Sequence, residues 1–145
     1  MTGNIKVIRA PNAMAATRKP ATLPPITWWR TMSAKRLGSS SVQPLREALK
    51  TIAILGEPAW PAAVRGDPSA ATGLALRLCS QQSTVAYDLA MTAVAACAAE
   101  GSDAACLVMA HMLGRDPGAT LHEARLANGW LGRLKRSRRE REAAE

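Results

Sequence analysis

Few side chains in this sequence have the type and spacing that a catalytic site requires. Tyr87 and Asp88 are adjacent, and His111 and His122 are the only histidines. Adjacent residues on a helix point in different directions, so we do not expect Tyr87 and Asp88 to act together. The sequence also lacks a glycine-rich phosphate loop, a His-Glu-x-x-His motif and a Gly-x-Ser-x-Gly motif. We therefore expect no catalytic residues and a protein that is not an enzyme.

The three cysteines do not have the spacing of a metal site. Cys79, Cys97 and Cys106 are odd in number, form no Cys-x-x-Cys pair and lie in alanine-rich stretches. Free cysteines in such stretches are typical of buried thiols in a reducing compartment. We therefore expect no bound metal, no cofactor and a cytoplasmic location.

Charge is concentrated at the two ends of the chain. Residues 1–41 carry a net charge of +7 with no acidic side chain, residues 42–132 carry −2, and residues 133–145 carry +3, for a total of +8. This distribution indicates an anionic partner: nucleic acid, an anionic membrane surface or an acidic protein.

The candidate binding residues follow from these basic ends. They are Trp28, Trp29, Arg30, Lys35 and Arg36 in the N-terminal segment, and Arg133, Lys135, Arg136, Arg138, Arg139 and Arg141 in the C-terminal segment. If residues 133–145 are helical, their cations surround the helix on every side, which argues against an amphipathic membrane helix. The alternative is a solvated end in which Glu and Arg side chains pair with each other. The two tryptophans either fold back onto the helical body or form an exposed anchor for a partner.

Two functions fit these features. The first is a non-enzymatic binding protein whose basic termini contact nucleic acid, such as a small regulator or accessory factor, with no motif for sequence-specific recognition. The alternative is an adaptor or inhibitor that docks an acidic protein partner through the basic ends or through Trp28 and Trp29. The sequence resembles no protein family closely enough to choose between them.

The elements that must position these residues are predicted to be helices. The chain has 29 alanines and no phenylalanine, a composition that favours helices over β-sandwiches. We expect an all-α fold: a small alanine-rich bundle of about five helices, with a flexible basic N-terminal tail and a basic C-terminal helix end. The boundaries are a largely irregular, proline-containing tail at 1–41, a bundle domain at 42–132 and a helical extension at 133–145.

Local signals place the helices within the bundle. We expect the first at 42–55 after Ser41, a second from Asp67, a central buried helix at 84–99, a fourth capped by Ser102, and a last one opened by Thr120 and Glu123. Trp60 is expected to enter the core. Asp88 needs either an exposed position or an arginine partner such as Arg77, because an unpaired buried carboxylate is costly. The last helix is expected to bury Ala124, Ala127, Leu131 and Leu134, and Asn128-Gly129 is a candidate break within it.

Location and assembly have alternatives. The acid-free N-terminus resembles a mitochondrial transit peptide in composition, which would place the protein in the matrix, but Pro11, Pro20, Pro24 and Pro25 interrupt the helix that such peptides form. Met32 is an alternative start. No apolar run approaches the length of a membrane-spanning helix. The modest core predicted here also suggests a homo-oligomer or a stable complex.

Overall fold

The computed structural model describes residues 7–9, 24–54, 56–81, 85–115 and 120–144, with the backbone alone for 7–9 and 81. Most of these residues are helical. The seven α-helices in this part of the chain are α1 (Trp28–Thr31), α2 (Ser39–Lys50), α3 (Trp60–Arg65), α4 (Pro68–Leu78), α5 (Val85–Ala99), α6 (Asp103–Gly114) and α7 (Leu121–Ala144). Two 3-10 turns, Pro25–Thr27 and Cys79–Gln81, and two short strands, β1 (Val7–Arg9) and β2 (Ile52–Ile54), complete the described structure.

Helix α5 is the centre of the molecule. Thirteen of its 15 residues are buried, and seven of the buried residues are alanines. Helices α2, α4 and α6 all pack against it. Alanine side chains are small enough to let neighbouring helices approach α5 from several sides, which is why an almost uniformly apolar helix suits this position. The prediction of a central buried helix at 84–99 is confirmed.

Three of the predicted helix starts are also confirmed. The Asp67 carboxylate accepts hydrogen bonds from the backbone amides of Ser69 and Ala70 at the start of α4. Ser102 accepts from Ala105 at the start of α6. Before α7, Thr120 and Glu123 bond reciprocally: the Thr120 amide donates to Glu123 Oε1 at 3.0 Å and the Glu123 amide to Thr120 Oγ1 at 3.1 Å. Each cap uses the free amides of a first helical turn.

The first predicted helix, 42–55, is wrong at both ends. Helix α2 begins at Ser39, and Ser41 is a buried residue within it whose hydroxyl donates to the Arg36 carbonyl. The C-terminal part is strand β2, which pairs antiparallel with β1 so that Val7 lies opposite Ile54 and Arg9 opposite Ile52. The two isoleucines are buried and Ala53 is half-buried, the period-two pattern of a strand. Pairing with a distant segment thus replaces the last helical turn.

Helix α7 is continuous from Leu121 to Ala144, so the expected break at Asn128-Gly129 is absent. Its buried residues are Leu126, Ala127, Trp130 and Leu134. Ala124 is exposed and Leu131 is half-buried, which corrects the predicted stripe. The stripe is rotated because the fully buried Trp130 determines which face of α7 enters the core.

Residues 24–41, which the sequence analysis assigned to an irregular tail, pack onto this body. They contain a 3-10 turn and α1, and Trp29, Ala34 and Leu37 belong to the core. Trp60 is buried as expected, and its indole donates to the Ile52 carbonyl at 3.0 Å. The short helices α1 and α3 raise the helix count above the predicted five. The rest of the tail, residues 1–6 and 10–23, lies outside the described residues. The predictions that this tail is flexible and resembles a transit peptide therefore stay predictions.

Within the described ranges, no helix is both long and apolar enough to span a bilayer. Four large apolar side chains are exposed, namely Leu76, Val85, Leu107 and Leu121. A homo-oligomer or stable complex stays a prediction.

Gly66 provides a first test of the packing. This residue ends α3 with φ +101°, and a Cβ atom there would collide with the Arg46 guanidinium, which is bound to Glu100. We expect Gly66→Ala to lower the free energy of unfolding by about 1 to 3 kcal/mol, measured by urea denaturation. Gly73→Ala, in α4 with open space around the added carbon, is the control and should be neutral or stabilise by up to about 1 kcal/mol. Equal effects of the two substitutions would contradict this account.

A buried thiol and a buried phenol provide a second test. Burial raises the pKa of Cys97 from 9.0 to about 11 and the pKa of Tyr87 from 10.0 to about 12. When the pH exceeds the ordinary pKa values, the unfolded chain loses these protons while the folded chain keeps them. The free energy of unfolding should therefore fall as the pH rises. Each group contributes at most about 1.4 kcal/mol per pH unit. Denaturation at several alkaline pH values measures the slope, and Cys97→Ala should flatten it between pH 9 and 11. An unchanged slope in that variant would contradict the assignment.

Candidate anion-binding surface

The Arg133 side chain joins α7 to two other segments. Its Nη1 donates to the carbonyls of Ala34 at 3.2 Å and Leu37 at 2.6 Å, and its Nη2 donates to the Ala99 carbonyl at 2.9 Å. The guanidinium carbon lies 5.5 Å from the centre of the Trp130 ring, in a cation-π arrangement. Arg133 therefore fixes the loop between α1 and α2, and the end of α5, against one side of α7.

This attachment brings together the basic residues of both ends of the chain. Lys35 and Arg36 lie in the loop that Arg133 holds, and both are exposed. Lys35 and Arg136 line a common groove of about 420 Å³, with Gly38 and Gly101 on its wall. The other residues of the groove are Ala34, Asp103, Cys106, Arg133, Ser137 and Glu140. Cations that are about 100 positions apart in the sequence thus face one recess.

The cations of residues 133–145 project from every side of α7, but they differ in their partners. Arg133 and Arg141 turn towards the body, where Arg141 pairs with Asp103 in the first turn of α6. Four further cations near this end of α7 are exposed, namely Lys135, Arg136, Arg138 and Arg139. At 3.6 residues per turn they fall within an arc of roughly 160°, with Arg138 at the edge nearest the buried stripe. With Lys35 and Arg36 they form what we call the basic surface: Lys35, Arg36, Lys135, Arg136, Arg138 and Arg139.

The remaining predicted binding residues have structural partners. The Arg30 Nε lies 3.2 Å from Asp88 Oδ1, and the Trp29 indole donates to the same oxygen at 3.1 Å. The arginine partner expected for Asp88 is thus Arg30 instead of Arg77, which pairs with Glu57. Residues 24–38 fold back onto the helical body. This places Arg30 beside the Asp88 carboxylate, although the two residues are remote in sequence.

The tryptophan pair is divided between the core and its edge. Trp29 is 7% exposed and meets the Tyr87 ring edge-on, with ring centres 5.6 Å apart. Trp28 is half-buried and packs against the core. Fold-back onto the helical body is therefore the arrangement observed for Trp29, and its ring is not accessible to a partner in this structure.

The titratable groups singled out from the sequence are dispersed. His111 and His122 are exposed on different helices, α6 and α7. Tyr87 is 2% exposed. Burial raises the pKa of the Cys106 thiol, which lines the groove, so this sulfur stays protonated at neutral pH and is a poor nucleophile. The described residues contain no group of three His, Cys, Asp or Glu side chains positioned to hold a metal ion.

The structural role of Arg133 and the burial of Trp130 were not predicted from the sequence. One signal was available: residues three apart on a helix lie on the same face, so Trp130 and Arg133 are neighbours on α7. The carbonyls that Arg133 binds carry no side-chain signature, so the direction of its guanidinium could not be inferred.

Comparison of the chain with protein-family models, curated proteins and solved structures finds no match in any of the three. The function must therefore be inferred from the geometry of the basic surface.

Arg133 can be tested by its effect on stability. We expect Arg133→Ala to lower the free energy of unfolding by about 2 to 4 kcal/mol, because three backbone carbonyls lose a charged donor. Arg136→Ala, an exposed cation one helical turn away, is the matched control and should change it by less than about 0.5 kcal/mol. Urea denaturation compares the two variants. Similar stabilities would mean that Arg133 does not hold the three segments together.

Proposed function

We propose that the protein is a non-enzymatic nucleic-acid-binding protein that contacts phosphates through the basic surface. The observation that carries this proposal is the arrangement around Arg133, which brings Lys35 and Arg136 onto one groove, with Arg36 and three more exposed cations of α7 close to them in the chain. Six cations grouped in this way produce a local positive potential that the nearly neutral middle of the chain does not offset.

The chemistry of the surface suits phosphate. Four of the six side chains are arginines, whose planar guanidinium groups bind two phosphate oxygens at once. Phosphate contacts fix a protein on nucleic acid without reading its sequence. Helix α7 remains attached to the body through Arg141 and Asp103. We therefore expect this helix to lie along the phosphate backbone of the nucleic acid and to bind it independently of the nucleotide sequence.

An acidic protein is the alternative partner for the same cations. This alternative drew on the basic ends and on the tryptophan pair, and the burial of Trp29 leaves the basic ends as its main support. Arginine-rich surfaces attract carboxylates as well as phosphates. Stronger binding to an acidic polypeptide such as polyglutamate than to nucleic acid at equal salt would favour this alternative.

Salt dependence tests the proposal directly. If four to six phosphates are contacted, the slope of log affinity against log salt should be about −4 to −5 for duplex DNA. Replacing Lys135, Arg136, Arg138 and Arg139 with Gln should make this slope shallower and lower the affinity at low salt by at least about tenfold. Fluorescence anisotropy with a labelled oligonucleotide measures both quantities.

A charge-matched variant controls for the change in net charge. Lys50, Arg65, Arg77 and Arg125 are exposed and lie outside the basic surface. Replacing these four with Gln removes the same charge, and we expect a much smaller loss of affinity. Equal losses in the two variants, or no binding by the unmodified protein at low salt, would refute the proposal.

A further inference from the structure

The aromatic residues of this chain are almost entirely used in its core. The sequence has four tryptophans, one tyrosine and no phenylalanine, and all five rings belong to described residues. The buried rings are those of Trp29, Trp60, Tyr87 and Trp130. Trp28 is half-buried against the core. The rings that could stack on nucleic-acid bases are therefore packed in the core or against it.

The two histidine rings are exposed but lie away from the basic surface. His122 is 13 residues before Lys135 on α7, about 20 Å along the helix axis. His111 is eight residues after Asp103, which lines the groove, and this separation is about 12 Å along α6. Neither histidine belongs to the basic surface or lines its groove.

Single-stranded and double-stranded nucleic acids depend differently on such rings. Proteins that bind single strands combine a basic groove with aromatic side chains on which the unpaired bases stack, and each stacked base contributes substantially to affinity. A duplex hides its bases and presents one negative charge per roughly 1.7 Å of its axis, twice the density of a single strand. A surface of cations without accessible rings therefore matches the duplex.

The backbone segments that carry these cations are also held in place. Lys135, Arg136, Arg138 and Arg139 project from one helix that remains attached to the body as far as Arg141. Lys35 and Arg36 lie in a loop held through the Ala34 and Leu37 carbonyls. Cations carried on a fixed backbone gain the most binding free energy from phosphates that are themselves regularly spaced. A single strand would first have to be ordered, which costs conformational entropy.

We propose that the partner of the basic surface is double-stranded nucleic acid, bound along its phosphate backbone in preference to single strands. This inference rests on the proposed function and adds the class of nucleic acid.

The experiment compares four probes at the same salt concentration: a DNA duplex and an RNA duplex of about 20 base pairs, and one single strand of each. We expect at least one duplex to bind about tenfold more tightly than its own single strand, with a salt slope near −0.9 per phosphate for DNA. Replacing Lys135, Arg136, Arg138 and Arg139 with Gln should abolish this preference.

The outcomes separate the two proposals. If both single strands bind as tightly as their duplexes, or more tightly, the inference is overturned while nucleic-acid binding stands. If none of the four probes binds at low salt, the proposed function itself fails. Trp28→Ala provides a second measurement, because its ring is the least buried of the five. A loss of single-strand binding in this variant, with unchanged urea denaturation, would reveal base stacking and contradict the inference.

Discussion

One guanidinium group connects the segments on which the rest of this structure depends. Arg133 serves three backbone carbonyls at once because its donors are fixed in a planar fork. The Ala99 carbonyl lies at the C-terminal end of α5, where helical carbonyls lack partners within the helix and the helix dipole favours a positive charge. The carbonyls of Ala34 and Leu37 lie in a loop without regular backbone partners. One cation thereby provides a donor to a carbonyl at a helix end and fixes a loop.

The arginines of this chain have two different roles. Arg30, Arg46 and Arg141 pair with carboxylates from other segments, and Arg46 binds Glu100 through two nitrogens. The hydrogen bonds that Arg46 donates to Glu100 raise the pKa of Arg46, in keeping with a lasting charge pair. The cations of the basic surface remain in solvent. The positive net charge therefore overstates the number of cations that a partner can contact. The three-dimensional arrangement determines which cations can bind a partner.

The sequence predicted those features that depend on neighbouring residues. The caps at Asp67, Ser102 and Thr120 each involve groups two or three positions apart, and the burial of α5 follows from its composition. The features that could not be predicted depend on distant groups. Strand β2 needs β1, more than 40 positions earlier, and Asp88 meets Trp29 and Arg30 across 59 and 58 positions. The basic surface combines both cases: its residues were identified, but their convergence depends on Arg133 and carbonyls up to 99 positions away.

The alanine-rich centre also constrains how this protein can evolve. At the seven buried alanines of α5, almost every mutation enlarges the side chain, and overpacking a dense core costs about 1 to 3 kcal/mol. Natural proteins have a margin of only about 5 to 15 kcal/mol. Lineages carrying this fold should therefore retain small residues along α5 while their outer helices drift freely. Descent would then be traced through this inner helix even after the surfaces have diverged.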